Sequence, residues 1–358
     1  MQNRQLRIIS LISGLMLSVL LSGCVRAVVV LAGDVIVDGW RDVKIRGLEP
    51  RTSDPSLAIS ATGVPFMLYW DATNNHKLSV TKFEKGAWIP VGEQAFSSAS
   101  LYAVSLALDA EGMPYVAYDE RSNKDDRKLW VMKLEGKGWT PVGSPVILKK
   151  EGLIYTSLAL NAAGVPHVAY TEFDSNERKL LVVKIEGSAW VPVGPPIYAL
   201  RGLSFPSLAF NAIGIPYLAY WDLDNGGKLS VVKLERNTWV PVGPLGFSTK
   251  TDGYPSLVLD AAGIPYVAFQ GDDSRLSVMK YKGGTWVFVG SPDASPKSAY
   301  FPSMMLDAAG VPHVAYLNYG YSGFKFWMTK FEGGAWIPVK PPDFSPEEAG
   351  SPLSVQKK

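Results

Sequence analysis

Apolar and polar residues alternate over short runs along most of this chain, which is the period-two pattern of β-strands. Glycine, proline, asparagine and aspartate separate the runs, and these residues favour tight turns. The pattern therefore predicts an all-β protein built from short antiparallel strands.

The alternating runs belong to one unit that is repeated along the chain. Each copy carries a marker serine, and the markers are Ser56, Ser105, Ser157, Ser207, Ser256 and Ser303. The steps between them are 49, 52, 50, 49 and 47 residues. Repeats of this length that are made of strands are typical of β-propellers.

One repeat can be divided into four strands. We expect strand a at 157–160, strand b at 165–170, strand c at 179–185 and strand d at 190–193. Four antiparallel strands form one propeller blade. The complete repeats are predicted at about 55–92, 104–143, 156–194, 206–243, 255–290 and 302–340.

Two columns of residues recur because neighbouring blades must pack on each other. The marker serine and the alanines of strand a are small, so they allow close approach near the axis. A tryptophan begins strand d in every repeat, and a buried tryptophan contributes a large apolar area. The tryptophans are Trp88, Trp139, Trp190, Trp239, Trp286 and Trp336.

The number of blades depends on how the two ends of the chain are interpreted. Trp40 precedes Ser56 by 16 residues, against 17 or 18 in the other repeats, and Pro352 follows Trp336 by 16 residues, as Pro302 follows Trp286. This favours a seventh blade that closes the ring with 27–45 and 351–355. Six blades with additional terminal segments are the alternative.

The N-terminus resembles a bacterial lipoprotein signal peptide. Residues 1–23 combine a basic start with a 14-residue apolar run, too short for a membrane span of about 20 residues. The run ends in Leu-Ser-Gly before Cys24, the only cysteine, so the resemblance implies lipidation of Cys24. We expect a single propeller domain over 24–358, anchored by lipid in the bacterial cell envelope, with the outer membrane favoured where two membranes are present.

The composition limits the classes of partner. The chain has 35 basic and 33 acidic residues without charge blocks, so it lacks the basic face that nucleic-acid binding requires. Its 47% apolar residues are enough for a large core. We expect no cofactor and no metal site, because the three histidines, His76, His167 and His313, have no ligand pattern around them.

The strand a–b unit resembles the repeats of NHL-type and sialidase-like (BNR-type) propellers. The run from Leu257 to Phe269 carries this resemblance, which implies the propeller fold but extends to enzymes, sugar binders and scaffolds alike. The turns read Asp-Ala-Ala-Gly and lack the trailing tryptophan of the sialidase Asp-box. A sialidase also needs three arginines around a carboxylate, and Arg121, Arg127 and Arg178 show no matching arrangement.

Functional residues are expected on the b–c and d–a loops, which vary most between repeats. One candidate set is acidic and lies at the end of strand b opposite a basic residue of strand c: Asp71, Glu120, Glu172, Asp222 and Asp272. Carboxylates in this arrangement suit hydroxyls or a cation, or simply form cross-strand ion pairs.

A second candidate set is aromatic. Tyr155, Phe205, Tyr254 and Phe301 each stand two residues before a marker serine, and Trp70, Trp221, Tyr319 and Tyr321 follow strand b. Their ring faces suit sugars or apolar side chains, although packing at the blade edge would explain them too.

The expected function is that of a non-catalytic binding or scaffold module for a protein or a glycan. The absence of the common catalytic motifs favours it over the alternative, a degenerate sialidase-like enzyme acting on glycans.

Overall fold

The computed structural model describes residues 55–339, except for 99–100, 124–125, 149–154, 175–176, 252, 296–297 and 321–322. These residues form six antiparallel sheets, each with the strand order a-b-c-d. The predicted all-β propeller is therefore confirmed.

The strands of the first three blades follow the repeats closely. Blade 1 comprises β1 (Ser56–Ile59), β2 (Pro65–Asp71), β3 (Lys77–Glu84) and β4 (Ala87–Pro90), with a 3-10 turn at Ala72–Asn74. Blade 2 comprises β5 (Leu101–Leu108), β6 (Pro114–Asn123), β7 (Asp126–Glu135), β8 (Gly138–Pro141) and a short β9 (Val146–Ile147). Blade 3 comprises β10 (Thr156–Leu160), β11 (Pro166–Asp174), β12 (Glu177–Glu186), β13 (Ala189–Pro192) and a short β14 (Ile197–Ala199).

The other three blades repeat the plan with four strands each. Blade 4 comprises β15 (Leu203–Phe210), β16 (Pro216–Asp222), β17 (Lys228–Glu235) and β18 (Thr238–Pro241). Blade 5 comprises β19 (Ser256–Leu259), β20 (Pro265–Gln270), β21 (Leu276–Lys282) and β22 (Thr285–Phe288). Blade 6 comprises β23 (Tyr300–Leu306), β24 (Pro312–Gly320), β25 (Gly323–Glu332) and β26 (Ala335–Pro338).

The ring closes directly between blade 1 and blade 6. Buried side chains group into six apolar clusters, and each cluster is shared by two adjacent blades. In the closing cluster, Leu57 and Met67 of blade 1 pack with Leu317 and Phe326 of blade 6. The preference for seven blades is therefore wrong, and the six-bladed alternative is correct. The segments 27–45 and 351–355 lie outside the described residues.

The marker serines connect neighbouring blades at five of the six junctions. The hydroxyl oxygen of Ser56 accepts a hydrogen bond of 2.9 Å from the backbone N–H of Leu106, the residue after the next marker serine. The same bond recurs at four further junctions, with lengths of 2.9–3.0 Å. Its recurrence explains why serine, rather than any small residue, occupies this position.

The tryptophan column makes a second connection near the outer rim. The indole N–H of Trp239 donates to the carbonyl of Pro195 in the preceding blade, at 2.9 Å. Trp139, Trp286 and Trp336 make equivalent bonds. Gly194 has a φ of 73° and a Cβ there would overlap Leu234 of the next blade, so glycine is required after the Pro-Val pair of strand d.

The topology determines which loops share a face. Strands a and c run in one direction and strands b and d in the other, because all neighbours are antiparallel. The b–c and d–a loops therefore lie on one face of the ring, which we call the loop face, and the a–b turns lie on the opposite face. On that opposite face, Asp109 Oδ1 accepts bonds from the N–H groups of Glu111 and Met113, which explains the repeated Asp in the turn.

The serine bond gives a direct test of how the blades are held together. Ser207→Ala leaves the N–H of Leu257 without its acceptor. We expect the free energy of unfolding to fall by about 1–3 kcal/mol in urea titrations, the usual cost of an unsatisfied buried polar group. Ser188→Ala, in the exposed turn between β12 and β13, is the matched control and should change stability by less than about 0.5 kcal/mol. Equal effects of the two substitutions would contradict the structural role of the marker serine.

Candidate functional site

A cavity of about 630 Å³ lies at the centre of the ring, along its axis. All six strands a contribute to its wall, together with Trp70 from the end of β2. Cavities of roughly 300–1,000 Å³ are typical of small-molecule sites. The central cavity is therefore large enough to receive a ligand.

Four of the predicted aromatic residues lie side by side at the end of this cavity that opens on the loop face. They are Tyr155, Phe205, Tyr254 and Phe301, and they come from blades 3, 4, 5 and 6. Successive ring centroids are 4.1, 4.1 and 4.9 Å apart. All four rings are half-buried. We call this continuous row of rings the aromatic arc.

The backbone of the aromatic arc has an unusual conformation. Phe205, Tyr254 and Phe301 have φ values of 50°, 55° and 52°, in the left-handed region that non-glycine residues rarely adopt. Each of the three precedes a proline, and strands β15 and β23 carry a bulge at this point. Bulges redirect side chains, and strained backbone often accompanies functional positions.

The Phe205 ring is supported by a neighbouring loop. Gly253 has a φ of 102°, and a Cβ at this position would overlap the Phe205 ring. The N–H of Gly253 donates to Thr251 Oγ1 at 3.2 Å, so the loop is held against the ring. The Phe205 ring is thus held in place by the bulge of its own strand β15 and by the loop that contains Gly253.

Among the described residues the arc covers four blades of the six. In blade 2 the small Ala103 stands two residues before the marker serine and lines the cavity. In blade 1 the equivalent Asp54 lies outside the described residues. Trp70 of blade 1 lines the cavity on this side and is 6% exposed. The symmetry of the ring is therefore broken at the cavity opening.

The remaining predicted aromatic residues are only partly connected to the arc. Trp221 lies beside it, with 6.0 Å between its ring centroid and that of Phe205. The side chain of Tyr319 and the whole of Tyr321 lie outside the described part of the chain. The structure thus brings six of the eight predicted aromatic residues close to the cavity opening.

Two of the predicted acidic residues hold their own loops. Asp222 accepts bonds from the N–H and side-chain amide of Asn225, at 3.1 and 2.8 Å, and from the Ser230 hydroxyl at 2.6 Å. Asp71 accepts equivalent bonds from Thr73, Asn74 and Ser79. Burial alone would raise the pKa of Asp71, but these hydrogen bonds outweigh it and hold the pKa below its usual value.

The alternative that the predicted acidic residues form cross-strand ion pairs is therefore wrong for Asp71 and Asp222. Lys77 and Lys228 lie opposite Asp71 and Asp222 in the strand register, yet the carboxylates bind loop donors instead. Loop donors two to three residues away and one serine of strand c satisfy each carboxylate without desolvating an ammonium group.

The other three acidic residues differ from one another. Glu172 forms the expected ion pair with Lys179, at 3.2 Å. Glu120 accepts a bond of 2.6 Å from the indole N–H of Trp130. Asp272 is exposed, and its neighbour Asp273 pairs with Arg275 instead. The five carboxylates thus do not form a uniform ring.

A buried ion pair in blade 2 was not predicted from the sequence. Arg127 Nε donates to both oxygens of Asp119, at 3.0 and 2.7 Å, and the two side chains are 3% and 0% exposed. Asp119 occupies the strand position that holds Trp70 and Trp221 in other blades. An aspartate at a position that holds tryptophan in other blades was the sequence signal that could have indicated this ion pair.

Two of the three arginines considered for a sialidase-like site make other contacts. Arg127 is neutralised by Asp119. Arg178 lies over the Phe173 ring, with 5.4 Å to its centroid, and donates to the carbonyl of Arg201. No arginine lines the central cavity among the described residues.

The buried His167 and the buried tyrosines of strand b pack within the blades. His167 contacts the carbonyl of Val165 and packs on Phe210, and burial lowers its pKa. Burial likewise raises the pKa of Tyr69 to about 12. Within the described residues no group of side chains could hold a metal ion, and none of the helices is long and apolar enough to cross a membrane.

Comparison with solved structures reveals similar folds with low sequence identity. A six-bladed fungal lectin from Aleuria aurantia, described as having a novel fucose recognition mode, matches with a TM-score of 0.57 and 15% identity. That match covers 83% of this chain and 98% of the lectin. AofleA from Arthrobotrys oligospora matches at 0.56 and 12%, over 84% and 89% of the two chains.

A bacterial protein of unknown function has the same fold. It comes from Dyadobacter fermentans and matches with a TM-score of 0.53 and 13% identity, over 82% of this chain and 99% of that one. The chain matches no protein-family model and no curated protein sequence. The shared feature is thus the β-propeller fold.

The role of Asp222 can be separated from that of its opposite lysine. We expect Asp222→Ala to lower the free energy of unfolding by about 1–3 kcal/mol, because the donors of Asn225 and Ser230 lose their acceptor. We expect Lys228→Ala to change it by less than about 0.5 kcal/mol. Thermal and urea unfolding of both variants measures the difference. Equal losses would restore the ion-pair explanation.

Proposed function

We propose that the protein is a non-catalytic, glycan-binding propeller whose site is the opening of the central cavity on the loop face. The observation that carries the proposal is the aromatic arc. Four contiguous rings line a cavity of about 630 Å³, and three of them have a left-handed backbone conformation. Flat aromatic faces suit the apolar C–H faces of sugar rings.

The irregular arrangement of the arc supports a binding role over packing alone. Elsewhere the repeat is more uniform, because the marker serines make the same contact at five successive junctions. In blade 2 Ala103 occupies the position of the arc residues, so the described part of the opening lacks sixfold symmetry. A ligand that lacks sixfold symmetry needs such a difference.

The structural neighbours support a sugar as the ligand. The Aleuria aurantia protein is named as a lectin in complex with a fucose-containing disaccharide, and SapL1 as a lectin in complex with a methyl fucoside. At 14% identity these likenesses concern the fold. They favour a glycan over a protein as the partner.

The lining of the cavity favours binding over catalysis. Hydrolysis of a glycosidic bond generally requires two carboxyl groups that flank the scissile bond. Among the described residues, the cavity wall consists of apolar side chains, serines, a threonine and two tyrosines. Two of the three arginines considered for a sialidase-like site, Arg127 and Arg178, are also engaged elsewhere.

We also propose that the propeller is anchored in the cell envelope through a lipid on Cys24. The support is the order of residues in the N-terminal segment, with a basic start, a short apolar run and small residues before the cysteine. Lipid anchoring would place a glycan-binding module at a bacterial membrane surface, with the outer membrane favoured.

The aromatic arc can be tested by removing its central ring. Phe205→Asn preserves the left-handed backbone, because asparagine tolerates positive φ. On a glycan array that the full chain binds, we expect the variant to lose about tenfold in affinity or more, through lost stacking. Isothermal titration with the best array ligand measures the loss.

Tyr198→Asn is the matched control for this experiment. Tyr198 is 61% exposed on the short strand β14 and does not line the cavity. The control should bind as the unmodified protein does. Binding that survives in Phe205→Asn, with the protein folded by circular dichroism, would contradict the arc as the site.

The lipid anchor has an independent test. We expect Cys24→Ser to move the protein from the membrane fraction to the soluble fraction, because the thiol is the only acceptor for the lipid. Fractionation of cells that produce either form measures the shift. A variant that remains bound to membranes would show that something else anchors the protein.

A further inference from the structure

We propose that the central cavity selects uncharged saccharides and rejects those that carry a carboxylate, such as sialic or uronic acids. This inference rests on the proposed glycan-binding function and names its ligand class. It follows from which backbone N–H and C=O groups of the cavity wall face the axis and which of them are already hydrogen-bonded to the marker serines.

The strand register shows which backbone groups face the cavity. In blade 1 the N–H of Ser60 donates to the carbonyl of Val64, so these two residues form a hydrogen-bonded pair. Antiparallel pairs alternate between bonded and non-bonded, so Ala58 is bonded to Phe66 but Leu57 is not bonded to Met67. The N–H and C=O of Leu57 therefore point away from β2, towards the axis.

The same reasoning holds in every blade. The turn bonds of Asp109, Asn161, Asn211, Asp260 and Asp307 repeat that of Ser60. The residue that follows each marker serine consequently turns its N–H and C=O towards the axis. These residues are Leu57, Leu106, Leu158, Leu208, Leu257 and Met304.

The marker serines accept hydrogen bonds from most of these N–H groups, which are then no longer available to a ligand. The N–H groups of Leu106, Leu158, Leu208, Leu257 and Met304 each donate to a serine of the preceding blade. What remains at this level is six carbonyl oxygens, which only accept hydrogen bonds, and one N–H group, that of Leu57. Together with the serine and tyrosine hydroxyls of the lining, they suit a ligand that both donates and accepts, as sugar hydroxyls do.

A carboxylate would find poor partners in the same place. It carries a negative charge, so the carbonyl oxygens and the aromatic ring faces repel it, and the described lining offers it only neutral donors, such as serine and tyrosine hydroxyls. The described lining includes no arginine, lysine or histidine that could neutralise it. Burial of an unpaired charge is strongly unfavourable.

The test compares pairs of neutral and acidic sugars, which differ by a sialic acid residue in one pair and by a single carboxyl group in the others. The probes are lactose against 3′-sialyllactose, and methyl galactoside and methyl glucoside against the corresponding uronic acids, titrated into the full chain in detergent. We expect the neutral member of a bound pair to bind at least about tenfold more tightly, because a desolvated carboxylate lacks a partner.

A variant should reverse this preference. Tyr155→Arg places a cation at the edge of the arc, at a residue that precedes Thr156 and not a proline as the other three arc residues do. We expect the acidic member of each pair to gain about tenfold relative to the neutral one, through a charge-assisted pair. Tyr198→Arg adds the same charge outside the cavity and should leave the ratio unchanged.

The outcomes separate this inference from the function on which it rests. Tighter binding of the acidic members by the unmodified protein, lost in Phe205→Asn, would overturn the selectivity and leave glycan binding in place. No binding to any saccharide on a broad array would overturn both. The comparison on the unmodified protein needs no variant, so it remains decisive even if Tyr155→Arg does not fold.

Discussion

The hydrogen bond from a backbone N–H to the marker serine of the preceding blade is the interaction on which the rest of the structure depends. It joins the innermost strands of neighbouring blades at the same height in successive junctions. Each strand a has a free inner edge, because only its outer edge pairs with strand b. The serine satisfies one N–H on that edge and leaves the carbonyls exposed to the cavity. The same bond therefore holds the ring together and determines the chemistry of its centre.

Closure of the ring is a constraint that the repeat alone could not determine. The sequence fragments around Trp40 and Pro352 resemble parts of a blade, and this resemblance favoured a seventh blade. A matching fragment shows that a strand is possible, but the number of blades depends on the packing between the first and last sheets. Leu57 and Met67 already pack against Leu317 and Phe326, so those two sheets contact each other directly. Six blades follow from that contact.

The fold and the aromatic residues were predictable because both follow from regular spacing. The Asp-Ala-Ala-Gly turn indicated the a–b hairpin, and the position two residues before the marker serine identified the arc. The partners of charged residues were less predictable. Asp222 lies opposite Lys228 in the strand register but accepts hydrogen bonds from Asn225 and Ser230. The local conformation of the loop determines which donors reach the carboxylate, and the strand pattern does not predict that conformation. The pair of Asp119 and Arg127 was missed because it occurs in one blade only.

The central claim concerns where a sugar binds, and a structure of the complex tests it most directly. The measurement is a crystal structure of the propeller with the tightest neutral ligand found on a glycan array. The account predicts density for a sugar ring over the aromatic arc, within contact of Phe205 and with hydroxyls directed at the carbonyls that follow the marker serines. A sugar located between two blades at the outer rim, or on the a–b turns of the opposite face, would contradict it.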